Sequence, residues 1–397
     1  MPARMEPVLP EQEKVIPVTE CPVCLKSDFD TLLTRARVPV LQNVIVATEE
    51  EARGFPVARL RICQCRHCSF VWNADFDPEA IDYNLQYNNS VQASGVYLAH
   101  QQAMAARVLA LSGQLSCLEV GCGEGEFLNA LSASGRLDKA IGFDPAFKGV
   151  YPLADNVEII RAYFDDEAAS RLPADINVVI SRHTIEHIPQ PRAFIAALAA
   201  YVRAHDLPLF IETPDVSWIL KSNAFEDFFY EHCSLFSPRS MQYLLAEFGL
   251  KAEVEAVYGG QYMWTLARDA KGASPDISED TTRATAGGIG EALESWQERV
   301  RGLAAEGPAA VWGAASKGVT FSLLIDGIDC AIDLNAAKQD CYMPVSAVPI
   351  VSPEKALDRG VSSIIVMNPN YRAEIAAQLQ AMGWNGRLLT LQEDAAA

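Results

Sequence analysis

The chain runs to 397 residues, half of them hydrophobic and 21% charged, which describes a globular protein long enough for two or three domains and excludes extensive disorder. Its 51 acidic residues outnumber 32 basic ones, and a net charge of −19 would repel a phosphate backbone, so nucleic acid is not an expected substrate. Neither the N-terminal stretch MPARMEPVLPEQEKVIPVTE nor any later run has the apolar length of a signal peptide or of the ~18-residue stretch a membrane span needs, and a cytoplasmic location is expected.

Ten cysteines without a secretion signal point to thiols or metal ligands rather than disulfides. Four form two pairs, Cys21-Pro22-Val23-Cys24 and Cys65-Arg66-His67-Cys68, with a stretch rich in Val and Leu between them. Each pair sets two thiolates on one tight knuckle, and two knuckles joined by a short sheet complete a closed tetrahedral site for structural Zn2+. Free thiols are the alternative. Cys63, expected on a strand, and His67, expected in the turn, are spare candidates whose spacing fits less well. Residues 1–75 are therefore expected to form a zinc-binding module.

Residues 76–112 pass from polar loop into a helical pattern, and Tyr83, Tyr87 and Tyr97 by default pack or face solvent. From Ser116 to Ala267 short apolar runs alternate with amphipathic stretches, the pattern of a βαβ sheet. Strands are expected at Cys117–Val120, Ala140–Phe143, Val157–Ile160, Ile176–Ser181 and Leu207–Glu212, with weaker ones at Ala252–Tyr258 and Tyr262–Ala267. That makes 76–267 a doubly wound α/β core. Residues 268–304 read as linker and connecting helix, and 305–397 as a smaller Rossmann-like α/β domain with strands at Ala309–Trp312, Ala331–Ile332 and Val361–Met367.

The strongest chemical motif is LEVGCGEG, a strand running into a glycine turn and then a helix. Gly121, Gly123 and Gly125 let the backbone approach a ligand closely, and Asp144, ending the next strand, can accept both hydroxyls of a ribose. NAD enzymes share such turns. Glu119 inside the strand and the close last glycine instead match the form of enzymes that use S-adenosylmethionine (SAM). Asp165 and Asp166, after the third strand, either contact the adenine or cap a helix.

The fourth strand ends in Ser181-Arg182-His183-Thr184-Ile185-Glu186-His187, which spells the H-x-x-E-H of one zinc-protease class. Its position at the carboxyl edge of a sheet, with no third metal ligand evident, argues against a protease. Arg182 and His183 are cofactor candidates instead, and Glu186 and His187 face the cleft. Further on, Phe229-Tyr230-Glu231-His232-Cys233 gathers a phenol, a carboxylate and an imidazole that can take a proton near neutral pH. A histidine hydrogen-bonded in a domain interface is the alternative. In the C-terminal unit Trp312-Gly313-Ala314-Ala315-Ser316-Lys317-Gly318 either holds an anion at a helix start or is a plain turn.

In their order, CPVC, CRHC, LEVGCGEG, HTIEHIP, FYEHCSLFS, YGGQYMWTLARD, WGAASKG and DLNAAKQDCYMP resemble the sugar C-methyltransferases that build branched deoxysugars on nucleotide carriers, over nearly the whole chain. The resemblance implies a class I SAM methyltransferase fold and methyl transfer to a carbon beside a ketone, in a biosynthetic pathway. It further implies His232 as the base, Glu231 as its partner, and Tyr87 and His187 lining the sugar site, where they steady an oxyanion. Family members carry a tyrosine three residues before the histidine. Here that position is Phe229, with Tyr230 displaced by one. A nucleotide-linked sugar is the substrate implied, with a monomer or homodimer expected. Two other readings stay open, an O- or N-methyltransferase and a non-catalytic scaffold that binds zinc and SAM.

Overall fold

The computed structural model describes residues 19–81, 94–111, 113–272 and 286–392; Tyr83 and Tyr87 lie outside the described residues, as does the side chain of Asp166. Three sheets organise the chain. The first contains β1 (Phe29–Pro39), β2 (Val57–Cys65), β3 (Val71–Asn73) and, from far along the sequence, β9 (Ser234–Leu235), in the order β1-β2-β3-β9. All of its pairs are antiparallel, with Phe29 opposite Cys65 and Gln64 opposite Val71. The tight return from β2 to β3 is the second cysteine knuckle.

The central sheet holds β4 (Leu115–Val120), β5 (Leu137–Phe143), β6 (Val157–Ile160), β7 (Val178–Arg182), β8 (Leu209–Pro214), β10 (Leu250–Val257) and β11 (Tyr262–Asp269), in the order β10-β11-β8-β7-β4-β5-β6. Every residue of β4 is buried, as expected of a strand covered by helices on both faces. Strands β4 to β8 run parallel, and β11 enters antiparallel against β8. This is the class I SAM methyltransferase fold. Strand order reverses at β4, between β5 and β7, and such a switch point opens a crevice at the carboxyl ends of the strands.

The third sheet is wholly parallel: β12 (Ala309–Trp312), β13 (Ile328–Ile332), β14 (Ile350–Val351), β15 (Ser363–Val366) and β16 (Arg387–Thr390), in the order β14-β13-β12-β15-β16. The strand readings at Val157–Ile160 and Ala309–Trp312 match to the residue, the one at Val361–Met367 shortens to Ser363–Val366, and the others shift or lengthen by a few. Strands β14 and β16 carry no separate signal in the sequence, the first because two residues are too short for periodicity.

One apolar core joins residues of the first sheet (Leu60, Ile62) to Phe225 and Phe228, to Trp296 in the helix Ala286–Glu306, and to Val311 and Phe321 of the third sheet and its first helix. The third sheet's loops also reach the crevice rim. Gln261 Nε2 donates to Asn368 Oδ1 at 2.9 Å, and the Tyr258 hydroxyl donates to that of Tyr371 at 2.6 Å.

Candidate active site

The glycine turn leaves β4 with all three glycines in the left-handed region, at φ 78° for Gly121, 54° for Gly123 and 81° for Gly125. A Cβ on Gly121 would lie 2.1 Å from Thr184 Oγ1 and one on Gly125 2.7 Å from Ile159 Cδ1, whereas around Gly123 there is open space. Two glycines are thus fixed by packing. The middle one faces the crevice. Asp144, just past β5, accepts from the Gly123 N–H at 2.8 Å and from the Ala146 N–H at 2.8 Å, so the carboxylate that would meet a ribose also braces the turn. Asp165 caps the helix Asp166–Ser170, accepting from the Ala168 N–H at 2.8 Å.

At the ends of β7 and β8 lies a buried ionic group. Arg182 Nε donates to Glu212 Oε2 at 2.7 Å, and His100 Nε2 lies 2.5 Å from Glu212 Oε1. Against the upward push of burial, Arg182 and the neighbouring imidazoles hold the Glu212 carboxyl well below the usual carboxylate range. The Arg182 guanidinium also lies 4.0 Å over the Phe127 ring, in the helix that follows the glycine turn. Burial pushes the Tyr97 phenol up to about 12, against its hydrogen bond to Arg182. Neither Glu212 nor His100 was marked by the sequence, because neither sits in a glycine or histidine motif. The register pairing Arg182 with Glu212 across β7 and β8 brings them together.

Four buried polar atoms at this edge have no hydrogen-bond partner among the described residues: Glu119 Oε2, Ser181 Oγ, Arg182 Nη2 and His183 Nε2. Buried polar groups are nearly always satisfied, so orphans beside an open glycine turn mark where a polar ligand belongs. SAM, with its ammonium, carboxylate and ribose, fits that donor set. Burial pushes the Glu119 carboxyl up to about 7, and a ligand ammonium beside it would restore its charge.

A second cluster lies where the turn Ile185–His187 meets the loop before β9. The ligating atoms of Glu186, His187 and His232 all fall within 4.8 Å of one another. The two imidazoles meet edge to face with centroids 4.9 Å apart, and the Phe229 ring covers His232 at 4.1 Å. Glu186 is 1% exposed and takes a hydrogen bond from Thr213 Oγ1 at 2.9 Å. Burial opposes its charge, but His183 and the two imidazoles hold Glu186 down to about 2. Burial and the neighbouring His187 push His232 down to about 3, so its imidazole is neutral near pH 7, and only the Glu186 carboxylate favours its protonated form. His187 is likewise lowered by burial, and it hydrogen-bonds the Glu231 backbone.

Glu231 turns the other way. Its Oε2 accepts from the Gln42 N–H at 2.6 Å, in the N-terminal part of the chain, and the carboxylate beside His232 is Glu186. Tyr230 also leaves the cluster: its hydroxyl accepts from the Asp77 N–H at 2.8 Å, and its ring packs on Phe76.

The four cysteines converge, with all sulfurs within 4.8 Å, Cys21 Sγ 3.6 Å from Cys68 Sγ and Cys24 Sγ 3.4 Å from Cys65 Sγ. Tetrahedral Zn–S bonds of ~2.3 Å set sulfurs about 3.8 Å apart, so the cluster fits the ion. The two knuckles repeat one another. Leu25 N–H bonds the Cys21 carbonyl and Ser69 N–H the Cys65 carbonyl, with Leu25 at φ 60° and Ser69 at φ 62°. Cys63 faces Thr31 and Arg61, and His67 pairs with Lys26 and Tyr243, so both spare candidates stay outside.

Residues 97–254 match the model of a methyltransferase domain, and residues 288–391 that of the C-methyltransferase C-terminal domain. The C-methyltransferase NovU of Streptomyces niveus is 26% identical over 397 aligned residues, covering 92% of this chain and 93% of that protein. Among solved structures, the DhpI–SAH complex is 21% identical with a TM-score of 0.33, covering 45% of this chain and 89% of its own. Mitomycin 7-O-methyltransferase MmcR is 17% identical with a TM-score of 0.35, covering 45% and 55%. The chain is a SAM-dependent methyltransferase. Its second domain model and its relative NovU both carry the name of C-methyltransferases, to which the chain is similar over nearly its whole length.

Proposed function

We propose that this methyltransferase alkylates a carbon beside a ketone in a nucleotide-linked sugar or related small metabolite, with His232 as the base. The observation that carries this reading is the placement of the His232 imidazole, capped by Phe229 and set beside His187 and the Glu186 carboxylate at the same sheet edge as the cofactor turn. Acidity at a carbon beside a carbonyl is modest, so a positioned base with its lone pair free is what deprotonation requires.

Gly121, Gly123 and Gly125 form the floor of the cofactor site, and Asp144 takes the ribose while continuing to brace Gly123. Glu119, Arg182 and His183 hold the amino-acid end. When bound, SAM supplies the methyl: the new carbon–carbon bond forms as the carbon–sulfur bond breaks, and S-adenosylhomocysteine leaves. His232 takes the α-proton, and Glu186 supplies the counter-charge for the imidazolium that results. His187 lies alongside with one ring nitrogen committed to the Glu231 carbonyl, and a proton taken up from solvent on the other would make it a donor to the enolate oxygen. The four cysteines hold structural zinc. Units 1–75, 76–267 and 305–397 divide the work, with residues 268–304 connecting the last two.

Deuterium exchange separates this reading from O- or N-methylation. With S-adenosylhomocysteine bound, the wild-type enzyme is expected to exchange the substrate α-hydrogen with solvent, and His232→Gln to abolish the exchange. A substrate methylated without α-exchange would overturn it.

A further inference from the structure

The H-x-x-E-H stretch after β7 lacks a third metal ligand in the sequence, and the fold supplies one from elsewhere. His232, from the loop before β9, comes within 4.8 Å of Glu186 and His187, measured between ligating atoms. His183, the first histidine of the motif, is turned aside with Nδ1 3.4 Å from Glu186 Oε1. The resulting set is two imidazoles and one carboxylate, a ligand type that suits divalent first-row transition metals and leaves positions open for solvent or substrate.

The surroundings are those of a supported metal site. The His187 ring donates to the backbone carbonyl of Glu231, which fixes its tautomer and leaves the other ring nitrogen as an acceptor. Thr213 Oγ1 donates to Glu186 Oε2 at 2.9 Å and orients the carboxylate. His232 is steadied by Phe229 on its face and by β9 immediately downstream, where Asn73 N–H holds the Cys233 carbonyl at 3.0 Å and Ser234 Oγ holds the Ile188 carbonyl at 2.6 Å. This set differs from the all-sulfur cluster of Cys21, Cys24, Cys65 and Cys68 in both hardness and openness, so the two sites select different ions or bind one ion with different strength.

We infer that Glu186, His187 and His232 form a second transition-metal site whose occupation blocks the enzyme. A metal bonded to the His232 lone pair removes the acceptor for the substrate α-proton. No electron transfer is involved: coordination replaces protonation at the same nitrogen. The blocking half of this inference rests on His232 being the base, and the binding half does not.

The test uses the full chain, carrying one equivalent of zinc by metal analysis, titrated with Cu2+ and with Co2+. The expected result is one further equivalent per chain, with nitrogen hyperfine structure in the Cu2+ electron paramagnetic resonance spectrum and a visible Co2+ band. His187→Ala and His232→Ala should each weaken that equivalent at least tenfold while zinc content and S-adenosylhomocysteine binding stay as in the wild type. Wild-type turnover should fall in proportion to occupancy and return on adding a chelator too weak to strip the cysteine site. Absence of the further equivalent, or its persistence in both variants, overturns the site. Binding with turnover unchanged or raised overturns the blocking role alone, whereas full turnover by metal-free His232→Ala overturns the base assignment and leaves the site standing.

Discussion

The backbone N–H of Asn73 donates to the carbonyl of Cys233 at 3.0 Å, tying the residue after His232 to the strand that leaves the second cysteine knuckle. β3 then pairs with β9, Val71 opposite Leu235 and Trp72 opposite Ser234. The four-cysteine cluster and the proposed base therefore share one short sheet.

Stripping the metal should consequently silence the chemistry as well as loosen the N-terminal region. A structural zinc is worth about 10–16 kcal/mol of folding free energy in small modules. Cys65→Ser is expected to lose zinc, lower the melting temperature and expose the Asn73 amide to hydrogen exchange, with turnover falling alongside. Full activity in a zinc-free variant would break the connection.

His232→Ala should lower kcat by about 10²–10⁴-fold, the usual contribution of a positioned base. S-adenosylhomocysteine affinity by calorimetry should stay within a factor of two or so, an allowance of about 0.4 kcal/mol. A variant that loses both would place His232 in the cofactor site instead.

Glu186 and Glu231 are separable by substitution. Glu186→Gln removes the counter-charge beside two imidazoles and should cost about 10–100-fold in kcat, the equivalent of one charged hydrogen bond. Glu231→Gln weakens the bond from the Gln42 N–H and should lower the melting temperature with kcat little changed. The reverse pattern would return Glu231 to the role of orienting His232.

The glycine turn makes a paired prediction. Gly121→Ala drives a methyl into Thr184 and should cost about 1–3 kcal/mol from overpacking, with a further ~1–2 kcal/mol from left-handed strain. Gly123→Ala meets no neighbouring atom, so only the strain applies, yet cofactor affinity should fall more than tenfold because the methyl occupies the open face of the turn. Equal affinities for wild type and Gly123→Ala would move the cofactor elsewhere.

Acid should unfold the enzyme from the active site outward. His232 is pushed down to about 3 from an ordinary value near 6.5, so the unfolded chain binds the proton first and stability is lost as pH falls from about 6.5 toward 3. Glu186, held near 2, adds a second loss below its ordinary value of about 4.5. Turnover measured above the unfolding range should show no acid limb near pH 6.5. An acid limb there, with the fold intact by circular dichroism, would mean an ordinary histidine base.

Sequence made the local motifs plain and hid the pairings made at a distance. The glycine turn and the cysteine knuckles are read within a few residues, since each is one turn of backbone with its own spacing. Glu231 beside His232 looks like a base and its orienting carboxylate, but the backbone turns at Tyr230 and Glu231, and Glu231 reaches Gln42 while His232 meets Glu186 and His187. Glu186 fills the place because the turn Ile185–His187 is brought against that loop, a contact no periodicity records. Tyr230, displaced by one from the family's tyrosine position, is spent on the Asp77 backbone, a contact made with a residue far away in sequence.

The pairing of Val71 with Leu235 also has a bearing on how the protein is made. On the ribosome the cysteine knuckles emerge early and can load their ion, but β3 must wait with a bare edge until residue 235 has been synthesised. Such an edge invites mispairing between nascent chains. A strand of three residues closed by one of two keeps that exposed template short, and seating the second of them carries the neighbouring His232 to its place beside His187 and Glu186.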